Sequence, residues 1–208
     1  MRSTRGLIFI IIGFIALSLG LWFQNHLALK NVQKFELKYA SYLSHARPLP
    51  PFQLKQTDGL DLNPSALIGH WSILFFGYTQ CRSICPTTMA MLHQTYDILR
   101  HQKIELPNMI MISLDGERDS LDTMRQYVKG FDAAFIGAIG SMQTVQQLSQ
   151  SLGIVYDAQL STDGQIDHSG SLTVINPMGE VAAFFTPPMQ AKDVALDLAT
   201  LIQHIKLQ

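Results

Sequence analysis

The chain has 208 residues, 47% hydrophobic and 15% charged, with a formal charge of −1 from 15 basic and 16 acidic residues. That balance, with no basic patch, argues against a nucleic-acid partner, and the length allows one domain of ordinary size beside a membrane segment. Only two cysteines are present, too few to staple such a domain, so they read as a functional pair.

Gly6 to Phe23 carry no charge and are rich in Ile, Leu and Phe. A helix over them is about 27 Å long, just enough to cross a bilayer core of roughly 30 Å. Arg2 and Arg5 precede it unbalanced. Residues 1–5 are therefore expected in the cytoplasm, 6–23 as a single-pass anchor in the inner membrane, and the rest on the periplasmic side. A cleaved signal peptide would share the basic start. Its exit here, Leu21-Trp22-Phe23-Gln24-Asn25-His26, is bulky, and no nearby cysteine offers a lipid anchor.

Residues 24–47, with Lys30, Lys34, Glu36 and Lys38, read as a partly helical stalk. Pro48, Pro50 and Pro51 close it, so the globular domain is expected over 48–208. Phe52–Lys55 and Leu60–Leu62 alternate about Asp58-Gly59, which predicts a small hairpin. Ser72 to Gly77 is an apolar run suited to a strand buried on both faces. Pro86 to His101 predicts a helix, with Met89, Leu92, Tyr96 and Leu99 on one face and Pro86 in the first turn.

Met109 to Leu114 is a second buried strand, and Asp119 or Ser120 caps a helix carrying Leu121, Met124, Tyr127 and Val128. Phe135–Ile139 is a third strand, and Ser141 opens a helix with Val145, Leu148 and Leu152. Ser171–Ile175 and Glu180–Phe185 flank the turn Asn176-Pro177-Met178-Gly179 as a hairpin, and Gln190–Ile205 closes the chain as an amphipathic helix. Met89, Met91, Met109 and Met111 read as core residues. The alternation predicts an α/β, thioredoxin-like fold: a central mixed sheet with flanking helices and an N-terminal β-hairpin, plus one transmembrane helix.

Cys81 and Cys85 fall where the first central strand hands over to its helix, the sheet edge at which such folds place their sites. Free amides and the helix dipole favour a thiolate there, and thiolate is both nucleophile and soft-metal ligand. Spacing alone does not separate disulfide exchange from metal binding. Of seven histidines, His168 stands apart, because Asp167-His168-Ser169 immediately precedes the strand that such a fold brings beside the cysteine loop. It would complete an S₂N site, with Asp167 or Asp163 supporting it and Asp115 near the same sheet edge.

Phe76-Gly77-Tyr78-Thr79-Gln80-Cys81-Arg82-Ser83-Ile84-Cys85-Pro86 resembles the F-G-[YF]-T-x-C-P-x-x-C-P signature of the Sco/SenC family. Ile112-Ser113-Leu114-Asp115-Gly116-Glu117-Arg118-Asp119-Ser120 is similar to its V-D-P-x-R-D-T element, and Asp167-His168-Ser169 with Asn176-Pro177-Met178-Gly179 to its D-H-S segment and following turn. Arg82 and Gly116 stand where the family usually has proline. A cation at Arg82 is expected to favour the Cys81 thiolate.

The resemblance implies copper, as Cu(I), Cu(II) or both, held by Cys81, Cys85 and His168, and a chaperone role in assembling the binuclear copper centre of cytochrome c oxidase. The implied partners are the oxidase's copper-centre subunit, a periplasmic copper donor or thiol reductant, and the membrane. A reductase cycling Cys81 and Cys85 against the oxidase's cysteines is the alternative, and a redox or copper sensor a third.

Overall fold

The structure, a computed structural model, describes residues 13–22, 37–156 and 165–204. Its contacts separate residues 1–36 from 37–208. In the first unit, residues 13–22 form helix α1, whose Phe14, Leu17 and Leu21 side chains are exposed. The remainder of the expected anchor lies outside the described residues, among which no helix is long and apolar enough to cross a membrane.

The second unit contains β1 (Ser41–Pro48), β2 (Leu54–Gln56), β3 (Asp61–Leu62), β4 (Ser72–Gly77), α2 (Ile84–His101), β5 (Asn108–Ser113) and α3 (Leu121–Lys129). β6 (Ile136–Ile139), α4 (Met142–Ser151), β7 (Leu172–Ile175), β8 (Glu180–Phe185) and α5 (Ala191–His204) follow. One mixed sheet runs in the order β1-β8-β7-β4-β5-β6-β2-β3. β4, β5 and β6 are parallel at its centre; β7 joins β4 antiparallel and β2 joins β6 antiparallel. Every residue of β4 is buried, as a strand covered on both faces requires.

Helix α2 buries one stripe, Cys85, Thr88, Met89, Leu92, Thr95, Tyr96 and Leu99, at the three- and four-residue spacing of an amphipathic helix. It packs on α5. Ser120 caps α3 through a reciprocal bond pair with Thr123, and Ser141 caps α4, so the polar residue ahead of each apolar pattern did mark the helix start.

The N-terminal border of the sheet differs from expectation. Ser41–Pro48, assigned by sequence to the end of the stalk and the first domain residue, is a strand pairing antiparallel with β8 from Ser41↔Phe184 to Pro48↔Glu180. Its mostly exposed side chains give no apolar alternation to read. β8 holds the strand, and a second long-range partner holds the residues just before it. Asp197 on α5, 1% exposed, accepts the amide N–H groups of Lys38, Tyr39 and Ala40 at 3.1, 2.8 and 2.7 Å.

Removing a buried carboxylate that satisfies three amides leaves those donors unpaired. Asp197→Ala is expected to lower the unfolding free energy by about 2–4 kcal/mol, read from denaturant midpoints at constant m-value. An unchanged midpoint would show that the residues before β1 are not held by this carboxylate.

Candidate metal centre

The cysteine loop, residues 78–83, leaves the buried end of β4 and enters α2. Two constraints fix it. Asp119, 4% exposed, accepts the Thr79 amide at 3.3 Å, the Thr79 hydroxyl, and the Ser113 hydroxyl at 2.6 Å. Gly77 then lets α2 approach: a Cβ there would lie 2.8 Å from the Cys85 sulfur and 3.0 Å from Met111 Cε. Cys85 is the second residue of α2, fully buried, and its amide donates to Cys81 Sγ at 3.4 Å. Cys81 is 9% exposed.

His168 comes from the loop before β7, where it bridges antiparallel to Tyr156. Its Nδ1 lies 3.1 Å from the Ser169 carbonyl oxygen. A carbonyl can only accept, so Nδ1 carries the proton and the Nε2 lone pair faces the sulfurs. Nε2 is 3.2 Å from Cys85 Sγ and 3.8 Å from Cys81 Sγ, and the three donor atoms lie within 4.8 Å of one another. A metal at about 2.0–2.3 Å from each donor spreads S and N to about 3.5–4 Å, so the donor set fits a metal ion with small adjustments. Two thiolates and an imidazole suit a soft ion such as Cu(I).

The electrostatics correct one expectation. Burial pushes the Cys85 thiol far above its ordinary range, and the charges of Cys81 and Asp119 push the same way. Desolvation of a sulfur inside the core outweighs the helix N-terminus, so the metal-free site holds Cys85 as a thiol. Burial lowers His168 below the usual histidine value against the opposing pull of the Ser169 carbonyl and the Asp167 charge, which keeps the imidazole neutral and able to ligate.

The structure thus brings together Cys81, Cys85 and His168. Asp167 is exposed and acts on His168 only through its charge. Asp115 gives its carboxylate to Arg118, and its amide donates to Ser113 Oγ, which in turn donates to Asp119. Asp163 lies outside the described residues. Met89, Met109 and Met111 are core, as expected, whereas Met91 is half-buried and lines an open groove with Pro86, Ala90 and Met189. Arg82 is exposed. Gly116 has the Gly140 carbonyl oxygen 2.9 Å from where a Cβ would sit, so a proline there would have to displace that backbone.

Asp119 and Gly77 were missed as site residues. Both stand inside the quoted motifs, but their roles depend on which loop the fold lays beside them. Asp119 reads locally as a helix cap, a role that falls to its neighbour Ser120.

Fold and site together define a thioredoxin-like domain with a Cys–Cys–His centre at the sheet edge. The SCO1/SenC family model matches residues 41–203. A protein of Stutzerimonas stutzeri described as copper-binding is 31% identical over 150 residues, covering 71% of this chain and 74% of its own. The crystal structure of Arabidopsis thaliana ScoI with copper bound superposes with a TM-score of 0.68 at 28% identity, covering 74% of this chain and 97% of that one. Bradyrhizobium japonicum ScoI with copper bound gives 0.63 at 26% identity, covering 74% and 98%. The chain belongs to the SCO1/SenC family.

Two outcomes follow from the buried sulfur. Gly77→Ala forces Cys85 Sγ away from its position; the expected result is a loss of about 1–3 kcal/mol in metal-free stability together with weakened metal binding in chelator competition. Metal affinity should also rise with pH near neutrality. Below its raised pKa the Cys85 thiol holds a proton that the metal must displace, and each pH unit makes that displacement about tenfold easier. A flat profile between pH 6.5 and 8 would mean that Cys85 is already ionised or does not ligate.

Proposed function

We propose that this protein is a membrane-anchored copper chaperone that carries one copper on Cys81, Cys85 and His168 and delivers it during assembly of the binuclear copper centre of cytochrome c oxidase. The observation that carries the reading is the convergence of two sulfurs and one imidazole nitrogen, 3.2 and 3.8 Å from Nε2 to the sulfurs. Copper-bound relatives and the family motifs support copper as the cargo.

Delivery works by ligand exchange. Cys81 keeps 9% exposure and His168 is half-buried, while Cys85 is fully buried. An acceptor's ligands therefore replace Cys81 and His168 first, and Cys85 is the last protein donor to let go. Reprotonation of Cys85, favoured by its burial, then makes release hard to reverse. The charge-free stretch Gly6–Phe23 behind Arg2 and Arg5, with exposed apolar side chains on α1, supports a single-pass anchor in the inner membrane with the copper site on the periplasmic side.

A thiol–disulfide reductase is the second reading, favoured by the close, free cysteine pair. In it the Cys81 sulfur, less deeply buried than that of Cys85, attacks a partner disulfide as a thiolate, forming a mixed disulfide and expelling one partner thiolate. Cys85 then loses its proton and attacks Cys81, freeing the partner's second thiolate and leaving a Cys81–Cys85 disulfide.

The test uses the full chain in detergent, reduced, loaded anaerobically with Cu(I) and challenged by a competing chelator. One copper per chain is expected on wild type, with affinity reduced at least about a hundredfold in His168→Ala and retention lost in Cys85→Ser. Reduction of an oxidised oxidase peptide that needs Cys81, by a chain that retains no copper, would replace the chaperone with the reductase.

A further inference from the structure

The metal donors sit on two loops that are separate in sequence, and two side chains tie these loops together. Tyr78, 1% exposed, lies three residues before Cys81; Gln165 lies three residues before His168. The Ile166 amide donates to Tyr78 Oη at 3.0 Å, and Tyr78 Oη is 3.0 Å from Gln165 Oε1. Gln165 Oε1 also accepts the Arg82 amide at 3.2 Å.

The directions of these bonds are determined by the backbone. An amide N–H only donates, so Tyr78 accepts from Ile166 and spends its own proton on Gln165. The Arg82 N–H likewise requires that the oxygen of the Gln165 side chain, and not its NH₂ group, faces the cysteine loop. Arg82 is the neighbour of Cys81, and Ile166 is two residues from His168. Tyr78 also touches the ligand itself: its ring meets His168 edge-on at 5.8 Å and 73°, while Phe75 lies 6.1 Å away.

We propose that Tyr78 and Gln165 are positioning residues that clamp the His168 loop to the cysteine loop and thereby set how fast copper leaves the site. This rests on the copper reading above. His168 is one of the two donors an acceptor must displace, and its Nε2 reaches both sulfurs only while its loop is held down. With the clamp intact, His168 stays in place after each transient Cu–N dissociation and rebinds. With the clamp cut, the imidazole departs with its loop and copper is left on two sulfurs. Copper stoichiometry is unaffected by the clamp, and the off-rate is the property it governs.

The test compares Gln165→Leu, Gln165→Glu and Tyr78→Phe with wild type in the full chain. Leu keeps the bulk of Gln165 without an acceptor, Glu restores an acceptor oxygen, and Phe keeps the ring but removes the hydroxyl. Two readouts are taken: amide hydrogen exchange at Arg82 and Ile166 in the metal-free chain, and Cu(I) release to a chelator in excess.

Gln165→Leu and Tyr78→Phe are expected to bind one copper and release it about tenfold faster, equivalent to about 1.4 kcal/mol, with faster exchange at the amide each variant leaves without its acceptor. Gln165→Glu should release no faster than wild type. Wild-type release from Gln165→Leu, or equally fast release from the Leu and Glu variants, overturns the proposal. Should Tyr78→Phe fail to fold, the Gln165 pair decides. A wild-type chain that takes up no copper sinks the chaperone reading and the clamp's effect on release with it. Amide exchange on the metal-free chain distinguishes that failure from one in which copper binds but the clamp bonds do not form.

Discussion

Cys85 belongs to the hydrophobic core before it belongs to any metal. It opens the buried stripe of α2 that continues through Met89, Leu92, Tyr96 and Leu99, and its sulfur is packed over Gly77. A neutral thiol is at home in such a place, and an unpaired thiolate is not. Cys85 is therefore the fixed donor, placed by the docking of an 18-residue helix on the sheet. The two donors that must adjust, Cys81 and His168, are both on loops. A centre built from one immobile and two adjustable ligands can close on an ion without disturbing the core.

The polar residues around the site follow the same division. Asp119 is a buried carboxylate close enough to push the Cys85 proton affinity upward, which works against ionising a ligand. Its hydrogen bonds go to Thr79 and Ser113. The fold thus places a buried anion where it holds the cysteine loop in position, and it accepts a less acidic thiol as the consequence. A cation arriving between the sulfurs relieves both effects at once, since it replaces the proton and compensates the carboxylate. The metal-free site consequently favours an uncharged Cys85 and an uncharged His168 beside that carboxylate.

Much of this was legible in the sequence because it rests on local patterns. The all-apolar β4, the α2 spacing, and Ser120 and Ser141 as caps are short-range signals, and the cysteine and histidine donors stand in recognisable motifs. Three features were not legible, each because it depends on a partner distant in sequence. β1 has no apolar alternation and exists through β8, and the residues just before it are held by Asp197, both partners more than 130 residues away. Asp119 looks like a cap until Thr79 is brought to it. The proton affinity of Cys85 was misjudged because helix position is visible in sequence, whereas the depth of burial that outweighs it depends on packing.

One of the two departures from the family pattern, Arg82, acquires a physical meaning in the same way. Proline at position 82 would hold φ near −65° and offer no N–H. Arg82 lacks that covalent restraint, but its amide is available, and Gln165 takes it. A rigid ring restricts the loop permanently and independently of anything nearby. A hydrogen bond restricts it only while the opposite loop is in place, so the order of the cysteine loop becomes conditional on the loop that carries His168. In this chain the two halves of the metal site are thereby coupled: opening one weakens the restraint on the other. On the chaperone function proposed above, an ion must be held firmly in transit and surrendered on contact, and a restraint that fails cooperatively serves that better than one that never fails.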